Sequence, residues 1–180
     1  MKKILALITV FALLALCFCG TAAFAADSAE AEEEEEPVYG PLSFTYKDIT
    51  FGVLDEADPV REALGEEDDL FVSASCAYQG DDYIYYYDGI ELTTNEIDGV
   101  FYITGIVLAD DMVETPQGLT IGMDIAEALA RMDEIEDEEL TFEDNRGVYS
   151  FQHGPALLMI QADEDGEITA IQYMAVTEDD

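Results

Sequence analysis

Short apolar-rich runs separated by polar turn residues make up two segments of equal length, 83–108 and 148–173, which is typical of consecutive strands. Aligned at a constant offset of 65, these 26-residue segments need no gap. Each predicts three strands joined by two tight turns, because a polar residue followed by glycine marks every boundary. We interpret the segments as two copies of one unit. Six positions are identical: Gly89/Gly154, Leu92/Leu157, Asp98/Asp163, Ile103/Ile168, Thr104/Thr169 and Ile106/Ile171.

A helical pattern precedes each segment and extends the two copies upstream. Asp124 is followed by apolar residues at helical spacing, and Pro59 and Gly65 suit the start and end of a shorter helix. These patterns predict an α+β fold class, with two tandem repeats that are each a helix followed by a three-stranded meander. We expect one antiparallel sheet with both helices on one face. The repeats span about 43–110 and about 115–176, within a single domain at 38–180.

The N-terminus has the composition of a secretory signal peptide. Two lysines precede an apolar run over 4–19, which is followed by an A-x-A sequence ending at Ala25. We therefore predict a signal peptide over 1–25, cleaved after Ala25, and a protein that is secreted or located at the cell surface. Two alternatives stay open: the apolar run is retained as a membrane anchor, or Cys17 or Cys19 is lipidated.

Acidic residues dominate the rest of the chain. There are 42 Asp and Glu against six Lys and Arg, and the net charge of −36 becomes −38 once the two lysines of the signal peptide are removed. Residues 26–37 contain five consecutive glutamates, and like-charge repulsion predicts a disordered tether. Because phosphates would be repelled, this charge excludes nucleic acid as a partner. It also argues against an anionic membrane surface, so we expect no membrane insertion after cleavage.

Several motifs are similar to known proteins. One motif begins at Gly122-Met123, has apolar residues six and ten positions beyond Gly122, and continues into a hairpin and a final β-ribbon. This motif resembles the tandem repeat fold of the beta-lactamase-inhibitor-protein-like group. The outer-membrane assembly lipoproteins of the SmpA/OmlA type share that unit. Uncharacterised secreted proteins and lipoproteins of Gram-positive anaerobes are more closely similar. That resemblance covers about residues 43–175 and implies the fold but no activity. The motifs that carry it are FTY at 44–46, SCAYQGDDY at 75–83, TPQGLTIG at 115–122 and the strand at 168–174.

No catalytic constellation can be recognised in the sequence. After signal cleavage Cys76 is the only thiol and His153 the only imidazole, and neither has a neighbour in sequence that completes a nucleophilic pair. They do not supply a zinc site, and a single cysteine cannot form an internal disulfide. The stretch 163–166 resembles part of a calcium loop, but Gln161 and Gln172 stand where two carboxylates are required, so we interpret it as a turn. We predict no enzymatic activity, no metal and no cofactor.

A row of tyrosines is the strongest candidate for a binding surface. Tyr83, Tyr85 and Tyr87 alternate along one strand and end at the Asp88-Gly89 turn. Tyrosine supplies contact area at low entropic cost, so these residues and Asp88 are typical of protein recognition. We predict a secreted non-enzymatic protein-binding module, inhibitor-like towards an unidentified extracellular or envelope protein. The alternative is a structural or cation-screened cell-surface component.

Overall fold

The computed structural model describes residues 40–176, so the predicted signal peptide and acidic tether lie outside the described residues. The fold is built from short helices and strands with mostly tight connections. In chain order they are β1 (Phe44–Tyr46), β2 (Ile49–Phe51), α1 (Ala57–Leu64), β3 (Asp69–Ala74), β4 (Asp81–Tyr87), β5 (Ile90–Ile97), β6 (Val100–Leu108), α2 (Ile125–Asp133), β7 (Thr141–Asn145), β8 (Val148–His153), β9 (Ala156–Ala162) and β10 (Ile168–Ala175).

Eight of the strands form one antiparallel sheet in the order β3-β4-β5-β6-β10-β9-β8-β7, while β1 and β2 form a separate hairpin. From one edge of the sheet to its centre the strands follow chain order, β3 to β6, and from the centre to the other edge they follow reverse chain order, β10 to β7. The two halves meet where β6 pairs with β10 through Gly105 to Met174, Ile106 to Tyr173 and Val107 to Gln172. Beyond this short ladder, Leu54 and Asp55 bond to Ile103 and fill the gap beside β6.

The predicted fold class, an α+β fold of two tandem helix-plus-three-stranded-meander repeats, is wrong. Residues 40–176 are mostly β, with only two short helices, and each helix is followed by four strands of the large sheet. The additional strands are β3 and β7, the two edges of the sheet. Edge strands pack on one neighbour only, so their sequences do not need the alternation that identifies a strand with a buried face. All five residues of β7 and five of the six in β3 are exposed.

The β1–β2 hairpin was not predicted for a different reason. Its two turn residues, Lys47 and Asp48, both have positive φ, at 49° and 64°. Two-residue turns of this kind usually contain Asn-Gly or Asp-Gly, because glycine adopts positive φ without steric cost. A Lys-Asp turn carries no such signal in the sequence.

A single hydrophobic core lies on one face of the sheet, beneath both helices and the β1–β2 hairpin. Phe44 and Phe51 of the hairpin are fully buried, and the Phe44 ring lies 5.5 Å from the ring of Tyr173 on β10. Ala57 and Leu64 of α1 and Ala128 and Met132 of α2 are buried in the same cluster; each helix buries one stripe of side chains. The opposite face of the sheet has no element packed over it within residues 40–176.

The two helices differ in how their N-termini are capped, which gives a matched test. The Asp124 side chain accepts hydrogen bonds from the backbone N–H groups of Ala126, at 2.9 Å, and Glu127, at 3.3 Å. At the N-terminus of α1, Glu56 makes no side-chain cap. We expect Asp124→Ala to lower the free energy of unfolding by about 1 kcal/mol and Glu56→Ala to change it by less than about 0.5 kcal/mol in urea titrations. Equal losses for both variants would contradict the assignment of the cap.

Candidate binding surface

The tyrosine row lies on the covered face of the sheet. Tyr85 and Tyr87 are each 5% exposed, so two of the residues predicted to bind a partner are buried. Tyr83 is half-buried and its ring packs edge-on against Phe101 at 5.2 Å. The guanidinium of Arg61 on α1 lies 3.8 Å from the centre of the Tyr85 ring, which fastens the helix to the strand. These tyrosines pack the fold together and leave little side-chain surface for a partner.

Burial also changes the acid–base behaviour of this row. Removal from solvent raises the pKa of Tyr85 and of Tyr87, and the positive charge of Arg61 opposes part of that rise. Asp88, the fourth predicted site residue, is exposed in the β4–β5 turn. Its backbone carbonyl accepts a hydrogen bond from the Tyr46 hydroxyl. Gly89 has φ of 84° and lies so close to Val113 that a Cβ would be 2.5 Å from its Cγ2, so only glycine fits this turn.

The residues between the tyrosines point to the opposite face of the sheet, here called the open face. Ile84 and Tyr86 alternate with the row along β4, and the register places Phe71 and Thr93 beside Ile84. On the other half of the sheet, Met174 lies opposite Leu157. The same alternation assigns nine apolar or aromatic side chains to the open face: Phe71, Ile84, Tyr86, Tyr102, Val107, Val148, Leu157, Met159 and Met174.

None of these nine side chains is buried. Phe71 is 54% exposed and Met174 is 40% exposed, while the other seven are half-buried by their neighbours on the sheet. They lie on strands β3, β4, β6, β10, β9 and β8, while β5, between β4 and β6, contributes the polar side chains of Glu91, Thr93 and Asn95 to this face. Apolar residues grouped on both sides of β5 exceed the single apolar residues scattered over an ordinary surface, and such patches mark interaction sites.

The open face is also negatively charged. Its strand positions include Asp69, Asp82, Glu91 and Glu143, and no lysine or arginine. Within residues 40–176 there are four basic residues, and all four lie in the helices or in hairpin turns: Lys47, Arg61, Arg131 and Arg146. The face therefore combines apolar contact area with a charge that favours a positively charged partner.

A buried polar network fixes the geometry of one half of this face. Asn95 is fully buried, and its Nδ2 donates to Asp82 Oδ1 at 2.6 Å and to the Asp81 carbonyl at 3.2 Å. The Thr104 hydroxyl donates to Asn95 Oδ1 at 2.5 Å. Thr104 is the extra residue of a bulge in β6, opposite the step from Thr93 to Thr94. The bulge lets Ile103 and Ile106 both face the core while Thr104 turns to the open face.

A concave region lies at the end of β8, around His153. It has a volume of about 700 Å³ and is lined by His153, Asp55, Glu136 and Asp137 together with apolar residues. His153 Nε2 lies 3.5 Å from an Asp137 carboxylate oxygen and 3.7 Å from one of Glu139, so the imidazole pairs with both when protonated. Burial raises the pKa of Asp55, although a hydrogen bond from the Gly52 N–H at 2.8 Å opposes the rise.

The structure separates the two residues considered for nucleophilic chemistry. Cys76 is exposed in the β3–β4 turn at one edge of the sheet, whereas His153 lies on β8 near the other edge. Six strand spacings of about 4.8 Å place these strands roughly 30 Å apart. The side chain of Asp163 accepts from the backbone N–H groups of Asp165 and Glu167, at 2.9 and 3.0 Å, as in an ordinary turn. Among the described residues, no three His, Cys, Asp or Glu side chains are arranged to hold a metal ion.

The sequence predicted a binding row on β4 without showing which side of the strand is covered. Both sets of side chains on β4 are apolar, because Ile84 and Tyr86 alternate with Tyr83, Tyr85 and Tyr87. With no polar contrast between the two sets, alternation shows which residues share a face but not which face is covered. The acidic residues on neighbouring strands are the signal that could have identified the open face, but using it requires the register.

Comparisons with known proteins give one structural similarity. No protein-family model matches the sequence, and no curated protein matches it. An extracellular protein containing an SCP domain from Bacillus anthracis strain Ames has a solved structure that resembles this fold with a TM-score of 0.46 at 11% identity. The alignment covers 79% of this chain and 49% of that chain, so this chain spans about half the length of that protein.

That similarity is too weak to carry an argument about function or site residues. The resemblance to the beta-lactamase-inhibitor-protein-like group is matched by none of these comparisons and stays a prediction. None of the helices between residues 40 and 176 is long and apolar enough to cross a membrane.

Proposed function

We propose that this protein is a secreted, non-enzymatic binding module that holds a positively charged extracellular or envelope protein against the open face of its sheet, in the manner of an inhibitor. The observation that carries the proposal is the composition of that face: apolar side chains on both sides of β5, with carboxylates among them and no basic residue. The export signal in the sequence supports a partner outside the cytoplasm.

The energetics favour a protein as the ligand over a small molecule. A face made of several strands suits burial against another protein surface, whereas small ligands bind in concave pockets. Tyr86, Tyr102 and Phe71 are the aromatic residues of the face, and aromatic side chains dominate the affinity of protein interfaces. Carboxylates such as Asp69 and Glu91 attract a basic partner and accelerate its association.

A capture experiment from culture supernatant and cell envelope tests the proposal. The full chain and a variant carrying Ile84→Thr, Tyr86→Thr and Met174→Thr are immobilised at equal density. Threonine suits strands, and all three residues face solvent in part, so the variant should fold. We expect the variant to retain the main captured protein at least about tenfold less than the wild type, because aromatic and apolar anchors carry most interface energy.

Met112→Thr serves as the matched control. Met112 is 85% exposed in the loop after β6 and lies away from the sheet, so its loss should leave capture unchanged. The captured protein should also have a basic isoelectric point, and its retention should fall steeply with salt. A partner that is retained equally by the wild type and the three-residue variant would exclude the open face as the site. An acidic partner would exclude the role of its charge.

A further inference from the structure

We propose that the free edge of β3 binds an extended basic peptide segment by adding it to the sheet as a ninth strand. The sheet has two edges, and they differ sharply in how they are protected. β7 carries Glu143 and Asp144 at its centre, and charged side chains discourage pairing with another strand. β3 reads Asp-Leu-Phe-Val-Ser-Ala and has its only charge at the first residue.

The centre of β3 is exposed and apolar on both of its faces. Leu70 is 42%, Phe71 54% and Val72 44% exposed, and these three consecutive residues form the longest such run among the exposed large apolar residues of the described chain. Soluble proteins normally block an apolar edge with lysine, proline or a covering element. An unblocked edge with this composition is a template for strand addition.

The register identifies the backbone groups that are free to pair. The Ser75 N–H bonds to the Gly80 carbonyl at 3.0 Å, so Ser75 and Gly80 are a hydrogen-bonded pair. Because hydrogen-bonded and non-bonded pairs alternate along an antiparallel ladder, the backbone groups of Phe71 and Ser73 also bond to β4. The N–H and C=O groups of Leu70, Val72 and Ala74 therefore point away from the sheet. The Leu70 N–H is taken by the Asp69 side chain at 2.9 Å. The amides of Val72 and Ala74 are the donors left for an added strand.

Charge selects the chemistry of the added strand. Asp68 and Asp69 lie at one end of β3, and Asp81 pairs with Ala74 at the other end. A second copy of the chain, paired antiparallel through β3, would bring Asp69 of each strand to the C-terminal end of the other, where Asp81 lies on the adjacent β4, and two strongly acidic chains repel each other, which disfavours a dimer. A peptide with alternating apolar and basic residues places apolar side chains beside Leu70 and Val72 and cations near Asp69. This inference does not depend on binding at the open face.

A capped synthetic peptide of alternating lysine and valine, seven residues long, is the probe. Its affinity for the full chain is measured by calorimetry, together with amide hydrogen exchange. At ten times the Kd, the amides of Val72 and Ala74 should exchange about tenfold more slowly, because occupancy protects them in proportion to ligand excess. Unchanged exchange at both amides in the saturated complex would overturn the inference without requiring any substitution. So would equal binding of a peptide with glutamate in place of lysine.

A proline substitution tests the main-chain contact from the side of the protein. Val72→Pro removes one outward donor without removing a bond to β4, since proline is tolerated where the N–H faces solvent. Val72→Thr keeps the donor and the shape. We expect Val72→Pro to weaken binding at least tenfold and Val72→Thr to stay within about threefold of the wild type. The exchange of Leu92 and Ile160 amides in the core strands reports whether each variant is folded.

Two further outcomes separate this edge from other sites. The variant of the open face with Ile84→Thr, Tyr86→Thr and Met174→Thr should bind the peptide within about threefold of the wild type. If that variant loses binding while Val72→Pro keeps it, the peptide occupies the open face and the edge assignment is overturned. A peptide-free chain that sediments as a dimer, and becomes a monomer with Val72→Pro, would instead assign the edge to a second copy.

Discussion

Replacing Tyr173 with alanine is expected to cost about 3–5 kcal/mol of the free energy of unfolding, the range for removing a large aromatic side chain from a core. Tyr173 is 1% exposed and lies on β10, where the two halves of the sheet pair. Its ring packs against Phe44 and its hydroxyl donates to Gln117 Oε1 at 2.8 Å. One side chain thus joins the sheet, the β1–β2 hairpin and the loop before α2. Urea denaturation followed by circular dichroism measures the loss.

Tyr173→Phe separates the ring from its hydroxyl. This variant keeps the apolar contacts and is expected to lose only about 1 kcal/mol, because it removes one hydrogen bond. If Tyr173→Ala were no more destabilising than Tyr173→Phe, the ring would not hold the hairpin to the sheet.

Alkaline pH supplies a second measurement on the same residue. Burial raises the pKa of Tyr173 above the usual value of 10.0, and it also raises the pKa of Tyr85 and Tyr87. Above pH 10 the unfolded chain loses these protons while the folded protein keeps them, so stability should be full below pH 10 and fall as pH rises further. The fall should be shallower in Tyr173→Phe than in the wild type. Identical slopes would contradict the burial of the hydroxyl.

Asn95→Ala is expected to lower the free energy of unfolding by about 2–3 kcal/mol, the second-largest effect. The substitution removes the partner of the half-buried Asp82 carboxylate and leaves the buried Thr104 hydroxyl only a longer bond to the Thr93 carbonyl, at 3.5 Å. A buried polar group that loses its partner costs about 1–3 kcal/mol. The bulge in β6 depends on this network, so the variant should also loosen the pairing of β5 with β6. Amide hydrogen exchange of Tyr102 and Val107, whose N–H groups face β5, would show faster opening.

Thr45→Ala is the matched control, because the Thr45 hydroxyl bonds to Thr50 at 3.0 Å in an exposed position on the small hairpin. Exposed hydrogen bonds exchange readily with water, so this loss should stay below about 0.5 kcal/mol. Equal losses for Asn95→Ala and Thr45→Ala would mean that the Asn95 network is not a buried unit.

The strands that bury one face could be predicted from the sequence, whereas the two edge strands of the sheet could not. The segments 83–108 and 148–173 do form three strands each, since their apolar residues must reach the core at every second position. The α2 start at Asp124 could also be predicted, because a side-chain cap is a local interaction. The edges β3 and β7 could not be predicted, because their residues are exposed and follow no period. Because these two edge strands were not predicted, the predicted fold had too few strands and too large a share of helix.

The binding surface shows the same limit at the level of side chains. Alternation placed Tyr83, Tyr85 and Tyr87 together correctly, since that relation depends only on the strand period. Which side lies under the helices depends on α1, through contacts such as Arg61 over Tyr85, and these form between residues far apart in the sequence. The edge at β3 likewise depends on strand order, because the same apolar residues would be unremarkable in a central strand.

Hydroxyl-radical footprinting of the complex with the captured partner tests the proposed binding face most directly. Met174 on the open face and Met112 in the loop after β6 both carry an oxidisable sulfur, and both are exposed in the free protein, at 40% and 85%. Binding should slow the oxidation of Met174 and the labelling of Tyr86 severalfold while the oxidation of Met112 continues at its free rate. Protection of Met112 or of the cleft around His153, with Met174 and Tyr86 unchanged, would contradict binding at the open face.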